Sequence, residues 1–454
     1  MREPLLLQIP SSTAAVPPAG DTAVGSYHVW TIGCQMNKAD SERLESAFDQ
    51  LGLRAVASPA EADIVVLNSC VVRQSAEDKV VGNLGLMKSL KSKPGRILAL
   101  MGCMVGPRTE DLRRRFPYVD LFLRPQEFGQ LVDLVAERLG VDAEGCVGPL
   151  VPARPGITAY IPIIHGCDLF CSFCVIPYRR GRQASRPVPE IVREAELLSA
   201  RGVREVTLLG QTVDAYGHDL PGDEDLADLL HALHDLPDLR RIRFLTSHPA
   251  FMTDRIIRAI AELDKVCEKI DLPIQAGDDD VLAAMRRTYT RDEYLRLIDR
   301  VRAAIPDVSL STDVIVGFCG ETEQQFQGTL DLLETVGFDK VHVAAYSSRE
   351  GTIAHRKQED TVPLAEKRER VRRVEALQER IASDINARLL GRTLPVLVDG
   401  RERGKWKGRT RTDKLVFFED GAADYHGRMV DLRVTRTGPW SLSGVPAGHQ
   451  GEGA

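Results

Sequence analysis

The chain reads IIHGCDLFCSFC at residues 163–174, and this stretch contains its most informative motif. Its cysteines, Cys167, Cys171 and Cys174, have the spacing C-x3-C-x2-C and supply three thiolates from one loop. A closed zinc site or an electron-transfer cluster normally uses four protein ligands. In a four-iron cube, three thiolates leave one iron without a protein ligand, and that open iron can hold a substrate. The alternative is a zinc site that takes a histidine such as His165 as its fourth ligand.

Length and composition predict two or three globular domains. The chain has 454 residues, of which 43% are hydrophobic and 27% are charged, as in soluble proteins. No apolar run approaches the ~18 residues of a membrane span, so we expect no membrane association. Residues 1–25 lack a basic start followed by a cleavage site, which predicts a flexible tail and not a signal peptide. Nine cysteines in such a chain favour a reducing cytoplasm and metal binding over disulfides.

The first part of the chain alternates strand and helix patterns, and a cysteine follows each main strand. The strand patterns lie at residues 28–32, 63–67 and 96–101, and the cysteines are Cys34, Cys70 and Cys103. Apolar strands that alternate with helices predict a parallel sheet, in which the loops after the strands share the carboxyl edge. The fold would therefore gather three thiolates into a metal or cluster site, again with no obvious fourth ligand. The alternative is that they are structural core cysteines.

Six further strand patterns, separated by helical patterns, predict a partial (β/α)6 barrel. They lie at residues 159–164, 205–209, 241–245, 269–272, 311–316 and 340–345. Barrels of this kind place their chemistry at the carboxyl ends of the strands. Polar or glycine-rich residues follow every strand, among them Gln211, His248 and Gln275. We therefore expect one cavity lined from six directions, with the three-cysteine loop at the end of the first strand.

The remaining cysteines and a run of arginines receive simpler interpretations. Cys146, in a stretch that is predicted to be a linker, and Cys267 and Cys319 are assigned no metal role. Arg179, Arg180, Arg182 and Arg186 follow the cysteine loop. Beside a nucleic-acid substrate they would contact phosphates; otherwise they belong to an ordinary surface loop.

The C-terminal part is basic on an otherwise acidic chain. Residues 389–449 contain 11 Lys and Arg against 7 Asp and Glu, whereas the whole chain has a net charge of −6. Strand patterns at residues 396–398, 415–418 and 430–432 predict a small β-barrel. Its loop at residues 401–414 would follow RNA phosphates, with an affinity that falls as salt rises. The alternative is a basic face that is merely solvated.

Residues 26–445 resemble the methylthiotransferase family of radical S-adenosylmethionine (SAM) enzymes. The cysteine loop resembles that of the radical SAM superfamily, whose open iron chelates the methionyl amine and carboxylate of SAM. Within the family, the stretch Gly33-Cys34-Gln35-Met36-Asn37 is similar to the branch that acts on tRNA. Other matching stretches are Asn68-Ser69-Cys70, Met101-Gly102-Cys103, Arg243-Phe244-Leu245-Thr246-Ser247-His248-Pro249 and Arg286-Arg287-Thr288-Tyr289-Thr290.

The resemblance implies an α/β chain of three domains. These are an N-terminal methylthiotransferase domain at residues 26–145, built on a parallel sheet with an auxiliary cluster, a radical SAM barrel at residues 157–388, and a TRAM-like RNA-binding β-barrel at residues 389–449. A linker at residues 146–156 joins the first two. Tails at residues 1–25 and 450–454 flank them.

The resemblance also implies two [4Fe–4S] clusters and SAM as cofactors. One cluster is expected on Cys167, Cys171 and Cys174, and the other on Cys34, Cys70 and Cys103. No catalytic residue is expected beyond these ligands. For SAM we expect Phe173 at the adenine edge, Gln211 at the methionyl amine or carboxylate, and Gln275 and Asp313 lining the cavity.

The implied reaction is methylthiolation of C2 of N6-isopentenyladenosine next to the anticodon (position 37) of tRNA. Alternative targets are threonylcarbamoyladenosine in tRNA and an aspartate of a ribosomal protein. An alternative from another class is a non-catalytic RNA-binding iron–sulfur protein. Expected partners are the tRNA anticodon stem-loop, a reductant such as flavodoxin or ferredoxin, and proteins that deliver sulfur or clusters. We expect a cytoplasmic monomer.

Overall fold

The computed structural model describes residues 23–70, 74–125, 127–141, 150–421 and 423–447. The predicted tail at residues 450–454, most of the tail at residues 1–25, the first part of the predicted linker and Cys146 lie outside the described residues. The described chain forms a parallel sheet, an open barrel and a small closed barrel, which confirms the predicted fold class. None of its helices is both long and apolar enough to cross a membrane.

The N-terminal domain is a five-stranded parallel sheet covered by helices. Its strands are β1 (Gly25–Thr31), β2 (Leu53–Ala55), β3 (Ile64–Ser69), β4 (Ile97–Gly102) and β5 (Leu121–Leu123), in the order β2-β1-β3-β4-β5. Its helices are α1 (Gln35–Gln50), α2 (Gln74–Leu90), α3 (Glu110–Arg115) and α4 (Gly129–Leu139). Ile64 and Val66 of β3 pack into one core, whereas Val65 and Leu67 pack into a second. Because both faces are covered, the strand is apolar along its length rather than alternating.

The central domain contains the six predicted barrel strands and one additional strand pair. The strands are β6 (Thr158–Pro162), β7 (Ile164–His165), β8 (Ala184–Ser185), β9 (Glu205–Leu209), β10 (Arg241–Phe244), β11 (Lys269–Asp271), β12 (Ser309–Val316) and β13 (Lys340–Ala345). β7 and β8 form a short antiparallel pair, and the other six form two parallel sheets, β10-β9-β6 and β11-β12-β13. One parallel bridge, between Ile242 and Val266, connects the edges of the two sheets. The result is an open barrel.

Nine helices of the described residues accompany these strands, and most cover the outside of the barrel. They are α5 (Ile176–Arg180), α6 (Val188–Ala200), α7 (Leu226–His234), α8 (Asp254–Glu262), α9 (Asp279–Ala284), α10 (Arg291–Ala304), α11 (Glu323–Val336), α12 (Ile353–Lys357) and α13 (Leu364–Ala387). Helices α7, α10 and α11 begin with capping boxes, at Asp225, Thr290 and Thr322. These caps satisfy backbone N–H groups that would otherwise be unpaired.

The C-terminal domain is a closed five-stranded barrel fixed to the open barrel. Its strands are β14 (Thr393–Glu402), β15 (Lys405–Thr410), β16 (Leu415–Phe418), β17 (Met429–Thr437) and β18 (Leu442–Pro446), in the order β14-β15-β16-β18-β17. Arg241 of β10 donates to the carbonyl oxygens of Arg409 and Pro395 at 2.6 and 2.9 Å. Arg243 donates to the carbonyl oxygen of Thr410 at 2.7 Å. These two docking arginines are buried, and their bonds offset the cost of burying charge.

Candidate active site

The barrel set of cysteines, Cys167, Cys171 and Cys174, lies in the loop that the β7–β8 pair closes. Gly166 opens this loop with a φ of +69°, and a Cβ there would lie 2.1 Å from the carbonyl oxygen of Arg182. Only glycine tolerates both the dihedral angle and the close approach. At the other end of the loop, the carbonyl oxygen of Gly181 accepts a hydrogen bond from the N–H of Cys167 at 3.2 Å. The three thiols are therefore presented by one closed loop.

Cys171 and Cys167 lie close enough to Cys174 to affect the pKa of its thiol. Burial raises the pKa of Cys174 to about 12, and Cys171 and Cys167 add to the rise. Arg287 donates through Nη1 to Sγ of Cys171 at 3.4 Å. The Thr212 hydroxyl shares a hydrogen bond with Sγ of Cys167 at 3.5 Å. A thiol binds iron as the thiolate, and a thiolate accepts a hydrogen bond from a cationic donor such as Arg287.

The sheet set, Cys34, Cys70 and Cys103, lies at the carboxyl edge of the N-terminal sheet. Cys34 directly precedes α1, Cys70 follows β3 and Cys103 follows β4. Cys34 is exposed, whereas the other two are buried. The N–H of Cys103 donates to the carbonyl oxygen of Ser69 at 2.8 Å, so the ends of β3 and β4 lie side by side. Burial raises the pKa of Cys103, and nearby Cys34 raises it further. The fold thus brings the three strand ends to one edge.

Asn37 connects two of these strand ends. Sγ of Cys34 donates to Oδ1 of Asn37 at 3.4 Å. The Asn37 amide donates to Oδ1 of Asn68 at 2.9 Å and to the carbonyl oxygen of Ser69 at 3.1 Å. Gly102 makes the third strand end possible, because its φ is +108° and a Cβ would lie 2.3 Å from the carbonyl oxygen of Ser69. The sheet set therefore depends on a side-chain network and a close backbone approach.

Arg180 contacts the sheet set from the barrel domain. Its Nε donates to Sγ of Cys103 at 3.2 Å and its Nη2 to Oδ2 of Asp40 at 3.0 Å. The side chains of Arg180 and Asp40 are 1% and 5% exposed. Neither interpretation of the arginine run, phosphate contact or ordinary surface loop, therefore holds for Arg180. Arg186 is also engaged within the protein, since it pairs with the buried Glu194 at 2.7 Å.

The donors beside the thiols fit an iron–sulfur cluster at either cysteine set. Among the described residues, no group of three His, Cys, Asp or Glu side chains has the spacing that a single metal ion requires. In a four-iron cluster each thiolate binds a different iron, so the sulfurs stand farther apart than around one ion. A guanidinium donates to one sulfur of each set: the half-buried Arg287 to the barrel set and the buried Arg180 to the sheet set. Such donors suit the negative charge of a thiolate-bound cluster.

Comparisons with known proteins identify the family. The model of the radical SAM superfamily matches residues 161–333, the model described as uncharacterized protein family UPF0004 matches residues 26–124, and the TRAM domain model matches residues 387–447. A relative from Roseiflexus sp. (strain RS-1), named tRNA-2-methylthio-N(6)-dimethylallyladenosine synthase, is 51% identical over 93% of this chain and 89% of its own length. A relative of the same name from Chloroflexus aurantiacus is 50% identical over 92% of this chain and 91% of its own length.

The chain belongs to the tRNA-2-methylthio-N(6)-dimethylallyladenosine synthase family. It is thus a radical SAM enzyme of the methylthiotransferase type, and the radical SAM domain implies SAM and a [4Fe–4S] cluster as cofactors. Among solved structures, the radical SAM methyltransferase TsrM from Kitasatospora setae, with cobalamin and a [4Fe–4S] cluster bound, matches with a TM-score of 0.54 and 14% identity. The match covers 70% of this chain and 74% of that chain. At this identity the likeness shows the fold alone.

In this synthase-family chain, the predicted SAM-contacting residues lie in the cysteine loop and at the barrel strands. Phe173 packs against the barrel core, Gln211 follows β9, Gln275 follows β11 and Asp313 lies in β12. The N–H of Gln275 donates to the carbonyl oxygen of Asp313 at 2.9 Å, so these two are adjacent. Within the described residues, the buried Oε1 of Gln211 has no hydrogen-bond partner, so it can accept a donor from a ligand. Their roles toward SAM stay predictions.

Sequence reasoning missed four residues that support the thiols. Arg180, Arg287, Thr212 and Asn37 each contact a cysteine sulfur. Asn37 and Arg287 lie inside stretches that carry the family resemblance, so position in a motif was the available signal. Arg180 stands in a run of arginines typical of a surface, and Thr212 directly follows Gln211. Neither carries a local signal of its role.

The predicted phosphate-binding loop at residues 401–414 is only partly available to RNA. Nε of Arg411 donates to Oε2 of Glu268 at 2.8 Å. Lys414 pairs with Asp339. These two cations fix the closed barrel to the open one, so the prediction of phosphate contacts is wrong for them. The exposed cations of the loop are Arg401, Arg403 and Lys405.

Proposed function

We propose that this chain replaces the hydrogen on C2 of N6-isopentenyladenosine, next to the anticodon of tRNA, by a methylthio group. The names of the two relatives at about 50% identity support this substrate. The observation that carries the proposal is the contact of Arg180, which closely follows the barrel set, with Cys103 of the sheet set. This contact supports the proposal that both thiol sets face one seam between the domains. We propose that the nucleoside binds at that seam, between the two sets.

The C2 hydrogen of adenine is not acidic, so a basic side chain cannot remove it. When bound, SAM and two [4Fe–4S] clusters supply the radical and sulfur chemistry that this replacement requires. We assign one cluster to the barrel set and one to the sheet set. Arg287 and Arg180 each hold one sulfur of their set by a charged hydrogen bond. We assign Gln211 to the methionyl group of SAM, Phe173 to its adenine edge, and Gln275 and Asp313 to the wall of the cavity.

The C-terminal barrel would bind the anticodon stem-loop through its backbone and shape, with the target base splayed out of the stack. Exposed Arg401, Arg403 and Lys405 are the cations that we assign to phosphates. We also propose the domain bounds given above, a monomeric cytoplasmic protein, a flavodoxin- or ferredoxin-like reductant, and a partner that delivers sulfur or clusters. This barrel is basic, whereas the rest of the chain is acidic. That difference is consistent with a dedicated RNA-binding module.

Mass spectrometry of tRNA nucleosides from a deletion strain tests the proposal. We expect the 2-methylthio derivative of isopentenyladenosine to disappear and to return with the wild-type gene. Cys171→Ala and Cys70→Ala should fail to restore it. Cys267→Ala, which removes a buried cysteine outside both sets, should restore it.

Each alternative function predicts a different outcome. If the deletion strain kept 2-methylthio-isopentenyladenosine and lost the methylthio derivative of threonylcarbamoyladenosine, the substrate would be threonylcarbamoyladenosine. If only the methylthio group on the ribosomal-protein aspartate were lost, the substrate would be that protein. If Cys171→Ala and Cys70→Ala restored the nucleoside as well as the wild type, the chain would not be the catalyst.

A further inference from the structure

Three consecutive residues, Arg179, Arg180 and Gly181, connect the two cysteine sets. The carbonyl oxygen of Gly181 accepts the N–H of Cys167 at 3.2 Å. Nε of Arg180 donates to Sγ of Cys103 at 3.2 Å. Nη1 of Arg179 donates to the carbonyl oxygen of Met104 at 3.5 Å. This bridge segment therefore contacts Cys167 of the barrel set on one side. On the other side it contacts Cys103 of the sheet set and the neighbouring Met104.

Within the bridge segment, Arg180 contacts the cysteine sulfur itself. Its side chain is 1% exposed and pairs with Asp40, which is itself 5% exposed. Nη1 of Arg180 is buried and has no acceptor among the described residues. A desolvated charged donor without a partner is costly. The fold nevertheless keeps a guanidinium at this place, where Nη2 donates to Asp40 and Nε donates to Cys103.

The position of Arg180 has an electrostatic consequence for a cluster on the sheet set. A guanidinium stays charged at every relevant pH. Hydrogen bonds to the ligating sulfurs and the net charge nearby set the reduction potential of an iron–sulfur cluster. Reduction adds negative charge, so a buried cation at a ligand sulfur stabilises the reduced state and raises the potential. The same bond also fixes the orientation of the Cys103 side chain.

We propose that Arg180 is a positioning residue for the auxiliary cluster: it holds the Cys103 sulfur against the loop of the barrel set and raises the reduction potential of a cluster on the sheet set. The inference rests on the proposed assignment of that cluster to Cys34, Cys70 and Cys103. Arg287 gives the matched case, because it reaches Cys171 from within the barrel domain. Each arginine should therefore affect the potential of its own cluster.

The test uses full-length chains that hold one cluster each. Cys167→Ala, Cys171→Ala and Cys174→Ala together leave the sheet set alone, and Cys34→Ala leaves the barrel set alone. After anaerobic reconstitution, iron content is determined and the potential is measured by a redox titration followed by electron paramagnetic resonance. In the sheet-set background, we expect Arg180→Met to shift the midpoint to a lower potential and Arg180→Lys to shift it less. In the barrel-set background, Arg180→Met should cause no shift and Arg287→Met a negative one.

Arg179→Met is the control for loosening of the domain contact, because Arg179 contacts a backbone carbonyl and not a sulfur. It should leave the potential of the sheet-set cluster unchanged. An equal shift in Arg179→Met and Arg180→Met, or no shift in Arg180→Met with full iron content, would overturn the inference. If Arg180→Met loses iron from the sheet set while Arg179→Met keeps it, positioning is supported; equal loss in both overturns it. A sheet-set background that binds no iron before any arginine is changed would instead refute the proposed cluster assignment.

Discussion

The barrel set and the sheet set are built in opposite ways. The barrel set comes from one loop between two paired strands, so its spacing is a local property of the chain. The sheet set comes from turns after three separate strands, and it exists only when β1, β3 and β4 are in register. The barrel set is supported from within its own domain by Arg287, whereas the sheet set is supported across a domain contact by Arg180. A local ligand set can thus form alone, and a dispersed one depends on the whole fold.

The largest effect should come from removing one ligand of each set. Cys171→Ala and Cys70→Ala should each lower the iron content after reconstitution from about eight to about four per chain, since a four-iron cluster needs its thiolates. Both should abolish methylthiolation, but only Cys171→Ala should abolish SAM cleavage under reductant. Iron determination and chromatography of the SAM products measure these effects. Loss of SAM cleavage in Cys70→Ala would contradict the independence of the two sets.

A second comparison uses the glycine next to a ligand of each set. Gly166→Ala and Gly102→Ala each place a Cβ against a carbonyl oxygen at positive φ, so we expect each to lower the free energy of unfolding by about 2–5 kcal/mol. Iron should be lost from the barrel set in the first variant and from the sheet set in the second. Urea unfolding and iron content provide the measurements.

Gly85→Ala is the control for these glycine variants. Gly85 lies in α2 with open space around its Cα, and we expect a gain of about 0.5–1 kcal/mol from its higher helix propensity. Equal iron loss from both sets in Gly102→Ala would show that the sheet domain and the barrel fail together.

Smaller effects should follow from the polar side chains beside the thiols. Asn37→Ala leaves the buried Asn68 amide without one partner, so we expect a loss of about 1–3 kcal/mol and slower iron uptake by the sheet set. Thr212→Val removes one hydrogen bond at Cys167 and should cost about 0.5–1.5 kcal/mol. Urea unfolding and the time course of iron uptake measure both. If Thr212→Val slowed uptake more than Asn37→Ala did, the barrel set would not be the self-contained one.

The smallest effect should be found on the C-terminal barrel. Arg403→Gln and Lys405→Gln should each weaken RNA binding and lower the slope of log affinity against log salt by about 1 if that residue contacts a phosphate. Iron content and SAM cleavage should not change. Arg411→Gln is the control, because Arg411 binds Glu268 of the open barrel; it should lower thermal stability and leave the salt slope unchanged. An altered slope in Arg411→Gln would mean that this contact opens when RNA binds.

The features predicted from sequence are those that short-range patterns determine. Three features depend only on neighbours in sequence: the spacing of the barrel set, the apolar run of β3 and the six barrel strands. The structure has strands where they were predicted, with ends displaced by at most two or three residues. The placement of the sheet set at one edge follows from a general rule for parallel sheets. These predictions needed no knowledge of contacts between distant residues.

The features missed are those that depend on which way a charged side chain points. Arg179 and Arg180 are adjacent and chemically identical, yet one contacts a carbonyl group and the other contacts Cys103, 77 positions earlier in the chain. Arg403 and Arg411 stand in the same basic loop, and one is exposed while the other pairs with Glu268. Charge patterns indicate that a segment is basic, but the partner of each cation is chosen by tertiary contacts.

The docking arginines have a consequence for how a substrate is selected. Because Arg241 and Arg243 bind backbone carbonyls of the closed barrel, that barrel keeps a constant offset and orientation relative to the cavity. An RNA hairpin bound to the closed barrel would therefore place one nucleotide in the cavity. That nucleotide would be the one that lies at a fixed distance from the bound part of the hairpin. Selection of the modified position would then depend on the length of the hairpin as much as on the identity of the base.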